Sequence, residues 1–284
     1  MENSKVWFVT GASKGLGFTF VQKLLKEGYR VAATSRTSED LIKEFWNIPP
    51  EVFLPLTVDL KSDEDVGFAV ENTIKLFGRI DVVVNNAGFG LAGALEEISD
   101  REARENFNIN VFGSLNVIRK IMPQLRKQKS GHIFNISSIG GFNGNYPGWG
   151  IYCATKFAVH GFTESLAAEA RPFGISATVV SLGYFRTNFL TADSLNVPKQ
   201  QLSAYQKVRD SQTAHQNDIN GNQPGDPEKA VEAMIRVANQ PDPPIHLFLG
   251  QDAYDLACAK ISAISHELEE WKTLTISTGY EQGH

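Results

Sequence analysis

Val6-Trp7-Phe8-Val9-Thr10-Gly11-Ala12-Ser13-Lys14-Gly15-Leu16-Gly17 decides how this chain folds. An apolar run, Val6 to Thr10, ends in a glycine-rich turn. Apolar residues then recur at Leu16, Phe20, Val21, Leu24 and Leu25, the spacing of one helical face, until Gly28 closes the segment. A strand, a glycine turn and a helix in that order make a phosphate cradle, because glycine lets the backbone approach a pyrophosphate and the free N–H groups at the helix start favour negative charge. The same spacing also serves as a plain strand-to-helix connection, so the rest of the chain has to decide between the two.

Outward from this unit the alternation repeats. Apolar strands are expected at Arg30 to Thr34, Val52 to Val58, Ile80 to Val84, His132 to Ser137, Ser176 to Leu182 and Ile245 to Leu249. Helices are expected at Ser38 to Trp46, Ser62 to Phe77, Asp100 to Lys129, Ile151 to Leu166, Pro227 to Ala238 and Ala253 to Leu274. The pattern predicts an α/β fold: a doubly wound parallel sheet of about seven strands with helices on both faces, forming a single domain over residues 1–284. Residues 188–225 break the rhythm. They are rich in Gln, Asn and Ser, hold one helical turn at Ala204 to Val208, and read as a mobile substrate lid or a disordered loop.

Composition narrows the function. With 284 residues, 42% hydrophobic and 21% charged, the chain can bury a full core. A net charge of -5 and the lack of a Lys/Arg run argue against nucleic acid and anionic membranes as partners. No leader-like segment or long apolar stretch is found, so a cytoplasmic location is expected. Two cysteines cannot build a disulfide framework, and Cys153 reads as a helix-packing residue rather than a nucleophile. The six histidines lack ligand spacing, so no metal is expected.

Ligands of such sheets bind beyond the carboxyl ends of the strands. Lys14, Arg36, Asp59, Asn86, Ser138 and Thr187 each follow a different strand. No acid follows the second strand before Glu39, whereas an acid there would hold a ribose hydroxyl; Arg36 and Lys14 instead suit a 2'-phosphate, which favours NADP over NAD. Both cations also make sense as solvated surface charges. Asp59 suits an adenine amino group or a helix cap, and Asn85-Asn86-Ala87-Gly88 suits either a ribose or an ordinary turn. Asn110, among Ile109, Val111 and Phe112, needs buried partners for its amide and marks a helix irregularity or a water site.

The segment from Ser138 to Lys156 carries the chemistry. Tyr152 and Lys156 lie one helical turn apart, and Ser138 ends the preceding strand. A phenol titrates near ~10; a cation beside it favours the ionised form, and bringing it to neutrality takes roughly 4 kcal/mol. Lys156 is therefore expected to lower the Tyr152 pKa. Ser138 is preferred to Ser137, whose side chain points to the opposite strand face. The aromatics Phe89, Phe142, Tyr146, Trp149, Tyr184 and Phe189 are candidates for the wall of an apolar pocket.

Thr10-Gly11-x-x-x-Gly15-x-Gly17, Asn85-Asn86-Ala87-Gly88, Asn110, Ser138 and Tyr152-x-x-x-Lys156 together resemble the short-chain dehydrogenase/reductase family, closely over about residues 5–187. The resemblance implies interconversion of a ketone or aldehyde and an alcohol by hydride transfer. Tyr152 would be the general acid/base, Ser138 would polarise the carbonyl, Lys156 would bind the nicotinamide ribose, and Asn110 would support a proton-relay water. It also implies cofactor contacts from Gly11, Ser13, Lys14, Gly15, Leu16, Gly17, Arg36, Asp59, Leu60, Asn86, Ala87, Gly88, Tyr152, Lys156, Gly183, Tyr184 and Thr187, and a homodimer or homotetramer. Two departures stand out: Leu182 occupies the usual proline position after the sixth strand, and the Ser138 to Tyr152 interval is one residue longer than usual. Competing readings are a cofactor-binding regulator without turnover, an enzyme that uses the nicotinamide transiently, and an NAD-preferring dehydrogenase.

Overall fold

The computed structural model describes residues 5–280. The elements in chain order are β1 (Val6–Thr10), α1 (Gly15–Lys26), β2 (Arg30–Ser35), α2 (Glu39–Glu44), β3 (Phe53–Thr57), α3 (Asp63–Phe77), β4 (Val82–Asn85), β5 (Gly90–Leu91), α4 (Asp100–Phe107), α5 (Ser114–Gln128), β6 (Gly131–Ile136), α6 (Gly150–Ala170), β7 (Ile175–Leu182), β8 (Leu195–Asn196), α7 (Gln206–Thr213), α8 (Pro227–Ala238), β9 (His246–Leu249), α9 (Gln251–Glu270) and α10 (Lys272–Ile276).

Seven strands form one parallel sheet in the order β3-β2-β1-β4-β6-β7-β9. The order reverses between β1 and β4, and that crevice is where a doubly wound sheet takes a ligand. Alternation along β1 sets the layers. Trp7 and Val9 join a core with α1 and α8, while Val6 and Phe8 join a second core with α3, α5 and α6 on the other face. Both cores consist of aliphatic and aromatic side chains, so burying them against the sheet is what holds the helices in place. No helix of the described residues is long and apolar enough to cross a membrane.

Two features depart from the sequence reading. Residues 188–225 are an ordered excursion: β8 pairs with β5 in a small parallel sheet, and α7 runs into a wide π turn at Ala214–Ile219. Leu190 and Leu195 pack with Trp149 and Tyr152, and further anchors are polar and therefore invisible to hydrophobic periodicity. Glu97, with a fully buried side chain, accepts hydrogen bonds from the N–H of Ala94 (2.8 Å) and of Leu202 (2.7 Å) and pairs with Arg209. Burial opposes its ionisation, but these donors prevail and hold the Glu97 carboxyl below the ordinary 4.5. The second departure is the expected helix from Asp100 to Lys129, which is α4 and α5 joined by a π turn at Asn108–Gly113. That irregularity centres on Asn110, in line with the reading of its amide.

Candidate active site

The carboxyl ends of the strands open into a cavity of about 690 Å³ that runs from the end of β2, past the glycine turn, to Tyr152. Its floor is built by β6 and α6. Ser137, buried, donates its hydroxyl to the carbonyl of Lys156 (3.1 Å) and ties strand to helix. Ser138, the next residue on an extended backbone, faces the cavity, and its hydroxyl accepts from the Gly140 N–H (3.1 Å). The pleat thus separates the two serines as the alternation requires.

Tyr152 lies on the first turn of α6, packed edge-on against Trp149 (5.6 Å) and against Phe189 (5.7 Å). Burial drives its pKa upward, and the Ser138 hydroxyl beside it only partly opposes this. Here the expectation that Lys156 lowers the Tyr152 pKa does not hold. Lys156 is itself buried, its ammonium donates to the Ile136 carbonyl (2.9 Å) and sits 5.8 Å from the Tyr152 ring centroid, and burial lowers its own pKa from 10.5 to about 8. A cation that carries so large a desolvation cost is bound to a strand carbonyl rather than to the phenol. Tyr152 is consequently a protonated hydroxyl, in the acid form.

Asn110 lies behind the cavity wall. Its amide oxygen accepts from the Phe89 N–H (3.0 Å), and its amide nitrogen donates to the Phe89 carbonyl (3.1 Å) and to the Thr155 hydroxyl (3.1 Å). Thr155 in turn donates to the Tyr152 carbonyl (2.7 Å), so Asn110 braces the helix turn that presents Tyr152. A further ladder crosses the sheet unannounced by periodicity: Asn85 donates to Asn135 (2.8 Å), and Asn135 to Thr163 (3.0 Å), all buried. Asn135, the asparagine of a sequon, is fully enclosed.

At the other end the turn after β1 is shaped to admit a charged group. Gly11 has φ +64°, and a Cβ there would lie 2.7 Å from the Ala87 Cα; one on Gly17 would lie 2.3 Å from the Gly11 carbonyl oxygen. Gly17 is therefore a close-packing residue off the cavity wall, whereas Gly11, Ser13, Lys14, Gly15 and Leu16 line it. The first turn of α1 has no acidic residue and no side-chain cap, which leaves its backbone donors available to an anion. These residues fit a pyrophosphate.

Asn86 stitches the site together: its amide nitrogen donates to the carbonyls of Thr10 (2.9 Å) and Gly11 (3.1 Å). Ala87 and Gly88 continue along the wall. At the far rim stand exposed Arg36 and Asp59, with Leu60 buried beneath them. Lys61 joins this rim, ion-paired with Glu105 (3.0 Å); sequence reasoning missed it, although it directly follows Asp59-Leu60. Asp59 accepts from the Lys61 N–H (3.0 Å), and the cap of α3 is Ser62. Lys14 donates across the cavity to the Asp193 carbonyl (2.9 Å).

The loop after β7 closes the Tyr152 end. Gly183, Tyr184 and Thr187 line it, together with Leu182 in the proline position. Asp252 of α9 accepts the Tyr184 N–H (2.7 Å). His215, from the 188–225 excursion, packs at a tilt against Trp149 (4.7 Å between ring centroids). Its Nδ1 donates to the Ser211 carbonyl (2.7 Å), so its Nε2 accepts from the Tyr184 hydroxyl (2.9 Å). Phe89, Tyr146, Trp149, Tyr184 and Phe189 reach the cavity. Phe142 does not: it packs edge-on against Phe248 (5.2 Å), in a small core beneath α9. Burial pushes the Tyr146 hydroxyl up to about 12 and the Cys153 thiol up to about 11, so Cys153 stays protonated.

Away from the cavity the fold gathers His160, Glu164 and His246, with donor atoms within 4.8 Å of one another. His160 is buried, and its Nε2 hydrogen-bonds the Ser181 hydroxyl (3.0 Å).

The fold and cavity define a dinucleotide-binding oxidoreductase of the doubly wound type. The family model for the short chain dehydrogenases matches residues 5–197, and the chain belongs to that family. A 3-ketodihydrosphingosine reductase from Bacteroides thetaiotaomicron is 35% identical over 248 residues, covering 87% of this chain and 88% of that protein. The crystal structure of a short-chain dehydrogenase from Streptomyces avermitilis is 34% identical with a TM-score of 0.89, covering 99% of this chain and 100% of that one. ElxO with NADP bound is 28% identical with a TM-score of 0.70, covering 86% and 96%.

Proposed function

We propose that this protein is an NADP(H)-dependent oxidoreductase that interconverts a ketone or aldehyde and an alcohol, with Tyr152 as general acid for reduction and general base for oxidation. The observation that carries the reading is the meeting of Ser138, Tyr152 and Lys156 at one end of a cavity whose other end is the glycine turn. A nicotinamide, when bound, supplies or accepts the hydride. The chain does the rest. Ser138 orients the carbonyl oxygen, and Tyr152 hands that oxygen its proton; burial, by keeping the phenol protonated, suits it to the reductive direction. The ammonium of Lys156, steered by the Ile136 carbonyl, retains donors for ribose hydroxyls. Asn110 holds the helix turn and the backbone around which a relay water sits.

The NADP preference rests on Arg36 at the rim, on the lack of an acid at the end of β2, and on the NADP-bound relative. The aromatic wall supports a bulky, apolar or cyclic substrate, with residues 188–225 as the lid over it. The test is NADPH oxidation with a panel of ketones. Turnover with hydrophobic ketones is the expected result. Tight cofactor binding with no NADPH consumed by any carbonyl compound would instead establish the regulator or the transient-redox reading.

A further inference from the structure

His160 and Glu164 stand one turn apart on α6, and His246 opens β9, the outer strand of the seven-stranded sheet. Ligand spacing is hidden in the sequence because His246 comes from a distant segment, which β7 carries to this place by pairing with β9. In the fold the three donor atoms lie within 4.8 Å of one another. The His246 Nε2 is 3.7 Å from a Glu164 carboxylate oxygen, and the two imidazole centroids are 6.0 Å apart. A tetrahedral zinc with bonds of ~2.0–2.1 Å spaces its ligand atoms by roughly 3.4 Å, so the donors have to close by about 1 Å at most. Glu164 and His246 are exposed and can turn by that amount, whereas His160 is buried and fixed. An ordinary surface ion pair accounts for Glu164 and His246. It does not account for a third donor, on a buried ring, converging on the same place.

We propose that His160, Glu164 and His246 bind a divalent cation of the zinc type, which clamps α6 to β9. Two imidazoles select a borderline-soft ion over Mg²⁺ or Ca²⁺, and the single carboxylate supplies the charge. The second shell is already in place. Ser181 of β7, itself buried, holds the His160 Nε2 at 3.0 Å, which leaves Nδ1 as the lone pair for the ion and fixes the ring that carries it. Lys156, one turn earlier on α6, holds its ammonium at the Ile136 carbonyl (2.9 Å) and lines the cavity instead. Three protein ligands on a half-exposed rim leave a fourth position for water. The consequence falls on β9. It pairs with β7 along one side only, and the ion ties its first residue to the helix that presents Tyr152 and Lys156.

Titration of the full chain with Zn²⁺ against a chromophoric chelator tests this. The parent should bind one Zn²⁺ with micromolar affinity, unaffected by millimolar Mg²⁺, and Co²⁺ in its place should give the visible absorption of a tetrahedral complex. Glu164→Gln and His246→Gln change exposed side chains, so both should fold, and each should weaken Zn²⁺ by more than the ~10- to 100-fold that loss of an outer-shell partner costs. Ser181→Ala, which keeps all three ligands, should fall within that smaller range. His266→Gln, on the exposed part of α9, should leave affinity unchanged. In hydrogen exchange, saturating Zn²⁺ should slow the amides of His246 to Leu249 in the parent and not in His246→Gln. No binding by the parent, or binding that survives both Glu164→Gln and His246→Gln, would overturn the proposal. Every readout is a binding or exchange measurement, independent of the reaction the cavity performs.

Discussion

Replacing Lys156 with Met should make the cofactor-free protein more stable, although the substitution removes a residue of the proposed active site. The reason is the cost of burying its charge. The fall in its pKa from 10.5 to about 8 corresponds to roughly 3 kcal/mol of unfavourable desolvation at neutral pH. Met fills a similar volume without that cost. The substitution also forfeits the charge-assisted hydrogen bond to the Ile136 carbonyl, about 2 kcal/mol, which leaves a net gain of about 1 kcal/mol. For a chain of this size that is a rise of roughly 3 °C in Tm. The pH dependence distinguishes this cause from generic packing. The folded-state pKa lies below the unfolded one, so the folded protein carries the full penalty below about pH 8 and sheds it as pH rises from about 8 to 10.5. The advantage of the Met variant should therefore be largest at neutral pH and shrink over that window. Differential scanning calorimetry of the two apo proteins from pH 7 upward reads it directly. A lower Tm for the variant at pH 7, or a difference that stays constant with pH, would refute the assignment of a desolvated charge at Lys156.

Glu97→Gln should loosen residues 188–225 without unfolding the core. An amide nitrogen must then face one of the donors that the carboxylate accepts, at a cost of about 3 kcal/mol, so hydrogen-exchange protection around Leu202 to Arg209 should fall roughly a hundred-fold while β1 and β4 are unchanged. Because the folded pKa of Glu97 is lowered, the same loosening should occur in the parent as pH falls below the ordinary carboxylate range; unchanged exchange in both cases would contradict the anchor. Arg36→Asp should weaken NADPH binding ten- to a hundred-fold while leaving NADH binding nearly unchanged, measured by fluorescence titration. An unaltered preference would refute the cofactor reading.

Most of the sheet was legible because each strand is a short apolar run between turn residues, and a buried parallel strand requires that pattern. The turn from Thr10 to Gly17 was legible for a related reason: few residues other than glycine fit where a Cβ would meet Ala87 or the Gly11 carbonyl. What escaped was held by contacts between residues distant in sequence. The 188–225 excursion looked formless because Glu97, more than a hundred residues from Arg209, organises it. Lys156 was read as a neighbour of the Tyr152 hydroxyl because i and i+4 share a helical face, but spacing alone does not reveal that the Ile136 carbonyl competes for the ammonium. Phe142 was read as a wall residue from its loop position, and the α9 helix covers it instead.

The most direct test of the proposed chemistry is the hydride-transfer rate of Tyr152→Phe in single turnover with bound NADPH and a ketone that the parent reduces. The substitution removes only the hydroxyl and keeps the ring packed on Trp149 and Phe189. The account predicts unchanged NADPH affinity and a rate lower by ~100- to 10,000-fold, the share a positioned proton donor contributes. A variant that reduces the ketone as fast as the parent would show that the proton comes from elsewhere.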